Sequence, residues 1–441
     1  MIPARLAGRL VESGLDPGEA RGKTALFDAA LTGCASLGHG TPTHAWWVPG
    51  RLEVFGKHTD YAGGRTLIAA VPRGFAFVAA GAEGDEVHLL DARTGERLSL
   101  GPEQRTLTGW RHYVEVVVSR LARNFPGARR GAAIAFKSDL PRASGMSSSS
   151  ALVVGVATAL ARVWNLPVRD EWQRNIRNNA ELATYYACLE NGLTFGTLAG
   201  DRGVGTHGGS EDHAAMLLGR PDHVSAYSFV PMRHLDDARV PDGWRFVIAS
   251  SGVRAEKTGS ARDSYNRLAG ASRALLDLWN SEGPHSGSLA GALSRDAAAD
   301  RLRDLIRRKP VPEWTGEALE RRLAHFQMED GLALEALSAI RQGDATGMGE
   351  LSEFSQRGAE ELLGNQVPET IELVRSARAC GAMAACSFGA GFGGSVWALV
   401  ETERTNAFAT MWIADYTAHY PSAGPVCFAA RPGPPLMELA R

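Results

Sequence analysis

An α+β fold in two domains is what this 441-residue chain predicts, on three observations. Its length exceeds what one ordinary core holds, so two domains are expected. The first third alternates short apolar runs with polar or glycine-proline breaks, the pattern of an antiparallel sheet. Residues 260–349 then keep mostly helical spacing, before a glycine loop that feeds an apolar strand.

The elements follow in order. Residues 1–25 read as a surface helix and loop. Ala45–Val48 and Leu52–Phe55 read as two strands separated by Pro49-Gly50-Arg51. Thr66–Val71 and Phe75–Ala80 are two more, split by Pro72-Arg73-Gly74. Val87–Leu90 and Arg97–Leu100 extend the same sheet. Trp110, Tyr113, Val114, Val117, Val118 and Leu121 share one helical face, and Ala132–Phe136 is a strand. A helix is expected from Ser148 to Trp164, and a longer one from an Asp170 cap to Glu190. A glycine-rich polar stretch, Asn191–His213, comes next. The domain boundary is placed between residues 232 and 233, with Phe246–Ser251 opening the second domain. The helical stretch breaks near Gly283–Ser288 and Pro310–Pro312, and Thr370–Cys380 is a further helix. Ser387–Val400 is the glycine loop and strand, and Arg431–Pro435 a proline-rich end. No internal repeat is present.

Composition narrows the function classes. Hydrophobic residues at 44% and charged residues at 22% are those of a globular protein in water. A net charge of −2 without a long basic run argues against nucleic acid or an anionic membrane as partner. The longest apolar stretch, Ala151–Leu160, is too short to span a bilayer, and the N-terminus has no signal-peptide core. Five scattered cysteines fit reduced thiols and a cytoplasmic location.

The stretch Leu140–Gly155, LPRASGMSSSSALVVG, carries the first chemistry. Small polar residues running into an apolar helix leave unpaired N–H groups and positive potential at the helix start, which suits a phosphate. The alternatives are a serine-rich linker or a plain helix cap. Two further glycine-rich stretches, residues 49–64 and 387–395, could join it, although GAGFGG alone often marks only a turn. No Walker P-loop occurs. Phosphoryl transfer needs positioning and charge neutralisation more than covalent chemistry. Glu190, Glu211 and Asp212 are the acids at hand, and Arg51 is a cation that would keep one of them ionised.

These motifs also carry a resemblance. Pro49–Gly64, PGRLEVFGKHTDYAGG, resembles the galactokinase signature P-G-R-x-N-L-I-G-E-H-T-D-Y-x-x-G. Pro141–Ala151 and Ser387–Ser395 resemble the second and third motifs of the GHMP small-molecule kinases, in that family's order. Trp110–Tyr113, Ile248–Arg267 and Arg322–Asp344 extend the match, so it spans essentially the whole chain. The resemblance implies a two-domain GHMP kinase fold, with mixed sheets, helices packed on them and the active site between the domains. It implies an ATP- and Mg²⁺-dependent kinase acting at the anomeric hydroxyl of a sugar, as a monomer or homodimer.

By the same resemblance, Asp212 is the catalytic base and Arg51 its neighbour at the anomeric hydroxyl. His58, Asp60 and Gly209 bind the sugar. Gly145, Ser147, Ser148, Ser149, Gly389, Gly391 and Gly393 surround the nucleotide phosphates. Ser149 and Glu190 are the implied Mg²⁺ ligands, although more residues separate Glu190 from Asp212 than the family spacing implies. Two departures stand out: Lys57 replaces the signature glutamate and Glu53 its asparagine. A lysine in place of a glutamate that contacts the sugar's C6 hydroxyl points to a hexuronic acid, galacturonate or glucuronate. Alternatively Lys57 pairs with Glu53, both lying on one face of a continued strand. The other readings are a kinase for a neutral hexose, amino sugar or heptose, and a non-catalytic sugar sensor.

Overall fold

The apolar residues of His44–Phe55 alternate in direction, and this sets the architecture. Trp46 and Val48 enter one core while Ala45 and Trp47 enter another, so the strand must be covered on both faces. The computed structural model describes residues 2–102, 107–141, 145–253 and 259–440. Residues 142–144 of the serine-rich stretch and 254–258 of the Ile248–Arg267 match lie outside them.

Two helices, α1 (Pro3–Glu12) and α2 (Pro17–Ala35), precede β1 (His44–Phe55) and β2 (Arg65–Gly81). Next come β3 (Val87–Asp91), β4 (Glu96–Leu100), α3 (Trp110–Asn124), β5 (Ala132–Ser138) and α4 (Ser148–Val163). After α5 (Asp170–Asn175), α6 (Asn179–Asn191) and α7 (Glu211–Leu218) comes the hairpin β6 (His223–Ser228) and β7 (Arg233–Arg239). The strand β8 (Trp244–Ser250) leads into five helices: α8 (Gly259–Asn280), α9 (Leu289–Leu293), α10 (Ala298–Arg308), α11 (Gly316–Gln342) and α12 (Ala345–Gly358). The chain ends through α13 (Pro368–Ala379), β9 (Ala384–Phe388), β10 (Ser395–Glu401), α14 (Thr405–His419), β11 (Cys427–Ala430) and β12 (Met437–Ala440).

The first sheet runs β12-β1-β2-β5-β3-β4, with β6 and β7 added beside the start of β2. It is mixed, since β3 pairs with β5 in parallel and its other pairs are antiparallel. α1 and α2 cover one face, and α3, α4 and α6 contribute to the core on the other. The second sheet, β11-β8-β10-β9, is antiparallel and packs against α13 and α14. No helix of the described residues is long and apolar enough to cross a membrane.

Three expectations need correction. Each pair of runs in residues 45–55 and 66–80 is one continuous strand. Pro49 pairs with Gly74, so the break signals of the two strands meet at one register shift and yield a bulge. The boundary at 232/233 falls inside the β6–β7 hairpin, and β12 returns from the far end of the chain to pair with β1. The long helix from Asp170 is two. Asn178, extended, accepts the Glu181 N–H and caps α6, while the Asn175 side chain turns to Thr197.

The helical segment is tied to the first sheet by a buried charge. Glu329 of α11, fully buried, accepts the backbone N–H groups of Gly56 and Lys57 at 3.0 and 3.2 Å. The Lys57 ammonium lies 3.7 Å from the same carboxylate, donates to Ser355 of α12 and sits 3.1 Å from the Cys386 sulfur. Burial opposes the ammonium, but the sulfur and the carboxylates of Glu329 and Glu53 outweigh it, so the lysine pKa is raised. Breaking such a pair strands a buried charge. Lys57→Met is therefore expected to lower stability by about 3–5 kcal/mol, read as a shift of the urea midpoint at unchanged slope. A change within about 0.5 kcal/mol of zero would refute the tie.

Candidate active site

Arg51 projects from β1 just after the bulge, and the residue is 3% exposed. Nε donates to Asp212 Oδ1 at 2.6 Å and Nη2 to Glu211 Oε1 at 3.2 Å. Nη1 donates to the Gly145 carbonyl at 2.6 Å, and Glu53 Oε2 lies 3.4 Å from Nη2. Asp212 stands in the first turn of α7, where the helix dipole favours a carboxylate. Its second oxygen accepts from Ser150 Oγ at 3.2 Å, so both oxygens of the expected base are held.

Asp60 occupies a short 3₁₀ turn, Asp60–Ala62. It accepts the Tyr61 N–H at 2.8 Å and the Glu211 N–H at 3.1 Å, which fixes it against α7. A Cβ on Gly209 would lie 2.0 Å from Asp60 Oδ2, so only glycine allows this approach. His58 Nε2 donates to the Ala390 carbonyl at 3.1 Å, leaving Nδ1 to accept from the Tyr61 hydroxyl at 2.9 Å. That bond ties the sugar signature to the third motif.

The pocket is bounded by Arg51, Glu53, His58, Asp60, Gly209, Asp212, Glu190 and Gly389, with Tyr265 and Ser150 beside them. Seven of the fourteen expected residues thus line one pocket: Arg51, His58, Asp60, Glu190, Gly209, Asp212 and Gly389. The second and third motifs face one another across it: a Cβ on Gly389 would lie 2.8 Å from the Gly145 carbonyl. Gly391 packs on Asn365, and Gly393 lies against the Val253 carbonyl. Ser147 precedes α4 in the left-handed region without capping it, so the serine-cap alternative does not hold at this residue. Ser148 and Ser149 open the helix, half-buried, and Ser150 is the serine that lines the pocket.

Lys57 corrects an expectation. It points away from the pocket toward Glu329, Ser355 and Cys386, so no ammonium faces a sugar carboxylate. The pairing with Glu53 is not the one formed either. Glu53 instead accepts the Gly389 N–H at 3.0 Å. The extra residues between Glu190 and Asp212 loop out and close on themselves. Val204 donates to the Glu190 carbonyl at 2.8 Å and Asp201 to that of Gly192 at 2.9 Å, so Glu190 still reaches the pocket. His213 Nε2 lies 3.3 Å from Glu190 Oε2. Glu190 and the serines of α4 offer hard oxygen donors, a set that fits Mg²⁺.

The electrostatics are lopsided. Burial and the carboxylates of Glu53 and Asp60 push Glu211 well above the carboxylate range, against Arg51. Burial likewise raises Glu53 and Asp60. Both Glu53 and Glu211 therefore favour the protonated form more than a free carboxylate does. Sequence reasoning named Glu211 only as a neighbouring acid and missed Ser150, Tyr265 and His213. The one available signal was that Glu211 and His213 flank Asp212 and Ser150 follows Ser149.

Comparisons with known proteins agree with this arrangement. Residues 36–81 match the galactokinase galactose-binding signature. Residues 112–220 match the GHMP kinase N-terminal domain and residues 336–416 the GHMP kinase C-terminal domain. The chain is 30% identical over 384 residues to the galactokinase of Chloroflexus aggregans, covering 85% of this chain and 88% of that one. It is 25% identical over 379 residues to the galactokinase of Glaesserella parasuis, covering 84% and 88%. In fold it is similar to Lactococcus lactis galactokinase, solved with galactose, at a TM-score of 0.74 and 22% identity over 89% of this chain and 94% of that one. With three motifs in order, both domains matched and the acid, arginine and glycine loops meeting in one pocket, this chain belongs to the galactokinase family of GHMP kinases and is a sugar kinase.

Proposed function

We propose that the chain transfers the γ-phosphoryl group of ATP to the anomeric hydroxyl of a neutral hexose of the galactose type. Arg51 is the observation that supports this most directly. One guanidinium holds the acid at the sugar side and the carbonyl of Gly145 at the phosphate side. Asp212, oriented by Arg51 and Ser150, accepts the hydroxyl proton as the oxygen attacks. Asp60 holds ring hydroxyls with its remaining lone pairs, and Tyr265 and His58 close the sugar side. Gly145 and the loop Gly389–Gly394 let backbone approach the nucleotide phosphates, with Ser147 and Ser148 at the start of α4. Ser149 and Glu190 would hold Mg²⁺, which when bound neutralises phosphate charge.

The charge of the pocket favours a neutral sugar over a uronate. Five acids line it, namely Glu53, Asp60, Glu190, Glu211 and Asp212. Arg51 already faces three of them, and Lys57 is turned away. Among the described residues a sugar carboxylate would find no uncommitted cation there, and like charges at this range repel.

Three measurements test these roles. With ATP and Mg²⁺, ADP release and ³¹P NMR of the product are expected to show a 1-phosphate from galactose and none from galacturonate or glucuronate. Faster turnover of either uronate would overturn the neutral-sugar reading. Asp212→Asn is expected to lower kcat by about 10²–10⁴ while sugar still binds, and full turnover would refute the assigned base. We infer that the raised Glu53–Glu211 pair carries one proton at neutral pH, and this gives a pH signature. As pH rises the Glu53–Glu211 pair loses it, adding negative charge beside Asp212 and the incoming phosphate, so kcat should fall on the alkaline side. Glu211→Gln, which keeps a neutral hydrogen-bonding group at every pH, should retain activity at pH 7 and lose that alkaline decline. An unchanged profile would show that the pair holds no such proton.

A further inference from the structure

Beside the pocket lies a second cavity that phosphoryl transfer leaves unused. It holds about 370 Å³, within the range of small-molecule sites, against about 30 Å³ in the inner pocket. The two share Asp60, Tyr61, Asn191, Gly208 and Gly209. The inner volume is too small to enclose a sugar ring, so a ring seated on Arg51 and Asp212 reaches the shared wall. Beyond the wall, Ala62, Ala187, Leu276 and Leu289 form apolar surface. Ser272 also lines the cavity. It is 3% exposed, and its hydroxyl has no hydrogen-bond partner among the described residues. His207 and Arg273 add exposed donors at the rim.

Apolar walls, a buried hydroxyl lacking a partner and a polar rim match the mixed surface of a sugar ring, which has C–H faces and hydroxyl edges. A plain acyl chain would leave the Ser272 hydroxyl and the rim donors unmatched, and a carboxylate substituent would meet Asp60. We infer that the substrate is a hexose bearing a second hexose at a ring hydroxyl beside Asp60, a disaccharide with a free anomeric end whose second ring occupies this cavity. The inference rests on the proposed kinase reaction. The anomeric oxygen of the first ring bonds to the γ-phosphorus as that atom's bond to the β–γ bridging oxygen breaks. Asp212 takes the hydroxyl proton, ADP leaves, and the second ring is unchanged.

The test uses the full chain, galactose, N-acetylgalactosamine, and disaccharides with galactose at the reducing end and a hexosyl group at O2, O3 or O4. Calorimetry without nucleotide reads binding, and ADP release reads turnover. At least one disaccharide is expected to bind about tenfold more tightly than galactose and to have the higher kcat/KM. Leu276→Trp, which fills the cavity, should lower the ratio of disaccharide to galactose kcat/KM about tenfold or more. Ser272→Ala should lower it by about three- to tenfold, and keeps the inference testable if the tryptophan variant does not fold. Turnover of galactose with no preference for any disaccharide, or a ratio unchanged in the folded variants, would overturn the inference and leave the kinase reading standing. Preference for N-acetylgalactosamine over every disaccharide would also overturn it. Tight disaccharide binding without turnover of any sugar would support the cavity and overturn the kinase reading instead.

Discussion

The site depends on keeping one guanidinium out of water. Removing an arginine from solvent costs several kcal/mol unless its donors are met, so the partners of Arg51 constrain everything near it. Nε, Nη1 and Nη2 are directed to three separate chain segments: the start of α7, the loop before α4, and Glu53 on its own strand. Three carboxylates around one cation overcompensate it. Burial raises Glu53, burial and the neighbouring carboxylates raise Glu211, and Arg51, despite burial, is held charged by Asp212, Glu211 and Glu53. Asp212 gains most from this arrangement. It makes the shortest contact to Arg51, 2.6 Å, at a helix start, whereas Glu211 is 3.2 Å from the guanidinium. The two adjacent acids at the start of α7 therefore sit in different environments.

Much of this was legible because the motifs are local. The serine loop, the sugar signature and the third glycine loop each declare a turn and a chemistry within about a dozen residues, and the expected Arg51, Asp60, Gly209 and Asp212 meet in the fold. Illegible features depend on partners distant in sequence. The direction of Lys57 is decided by Glu329, 272 residues on, and no local pattern announces that carboxylate. Strand breaks misled for a related reason. Pro49-Gly50 and Pro72-Arg73-Gly74 are strong turn signals singly, but as neighbours in the sheet they share one irregularity and both strands continue. The helix expected from Asp170 to Glu190 failed because side chains competed for backbone. Asn178 offers an N-cap and Asn175 bonds the Thr197 segment, so the chain restarts its helix.

The two departures in the signature are best understood together. Where the family pattern has asparagine and glutamate, this chain has glutamate and lysine at positions 53 and 57. The lysine turns to Glu329, while the new glutamate turns to Arg51 and the Gly389 N–H. Negative charge that the resemblance would place at the C6 side of the sugar has thus moved to the arginine and the third-motif loop. Among the described residues, the sugar side loses a hydroxyl acceptor and gains no cation. On the proposed reading, recognition there would pass to Asp60, His58, Tyr61 and Tyr265, which line the pocket and whose rings pack together. A site that selects by shape at the wall shared by its two cavities can admit a substituent at that wall. The same exchange of charges that removes the basis for a uronate makes an extended neutral sugar compatible with this pocket.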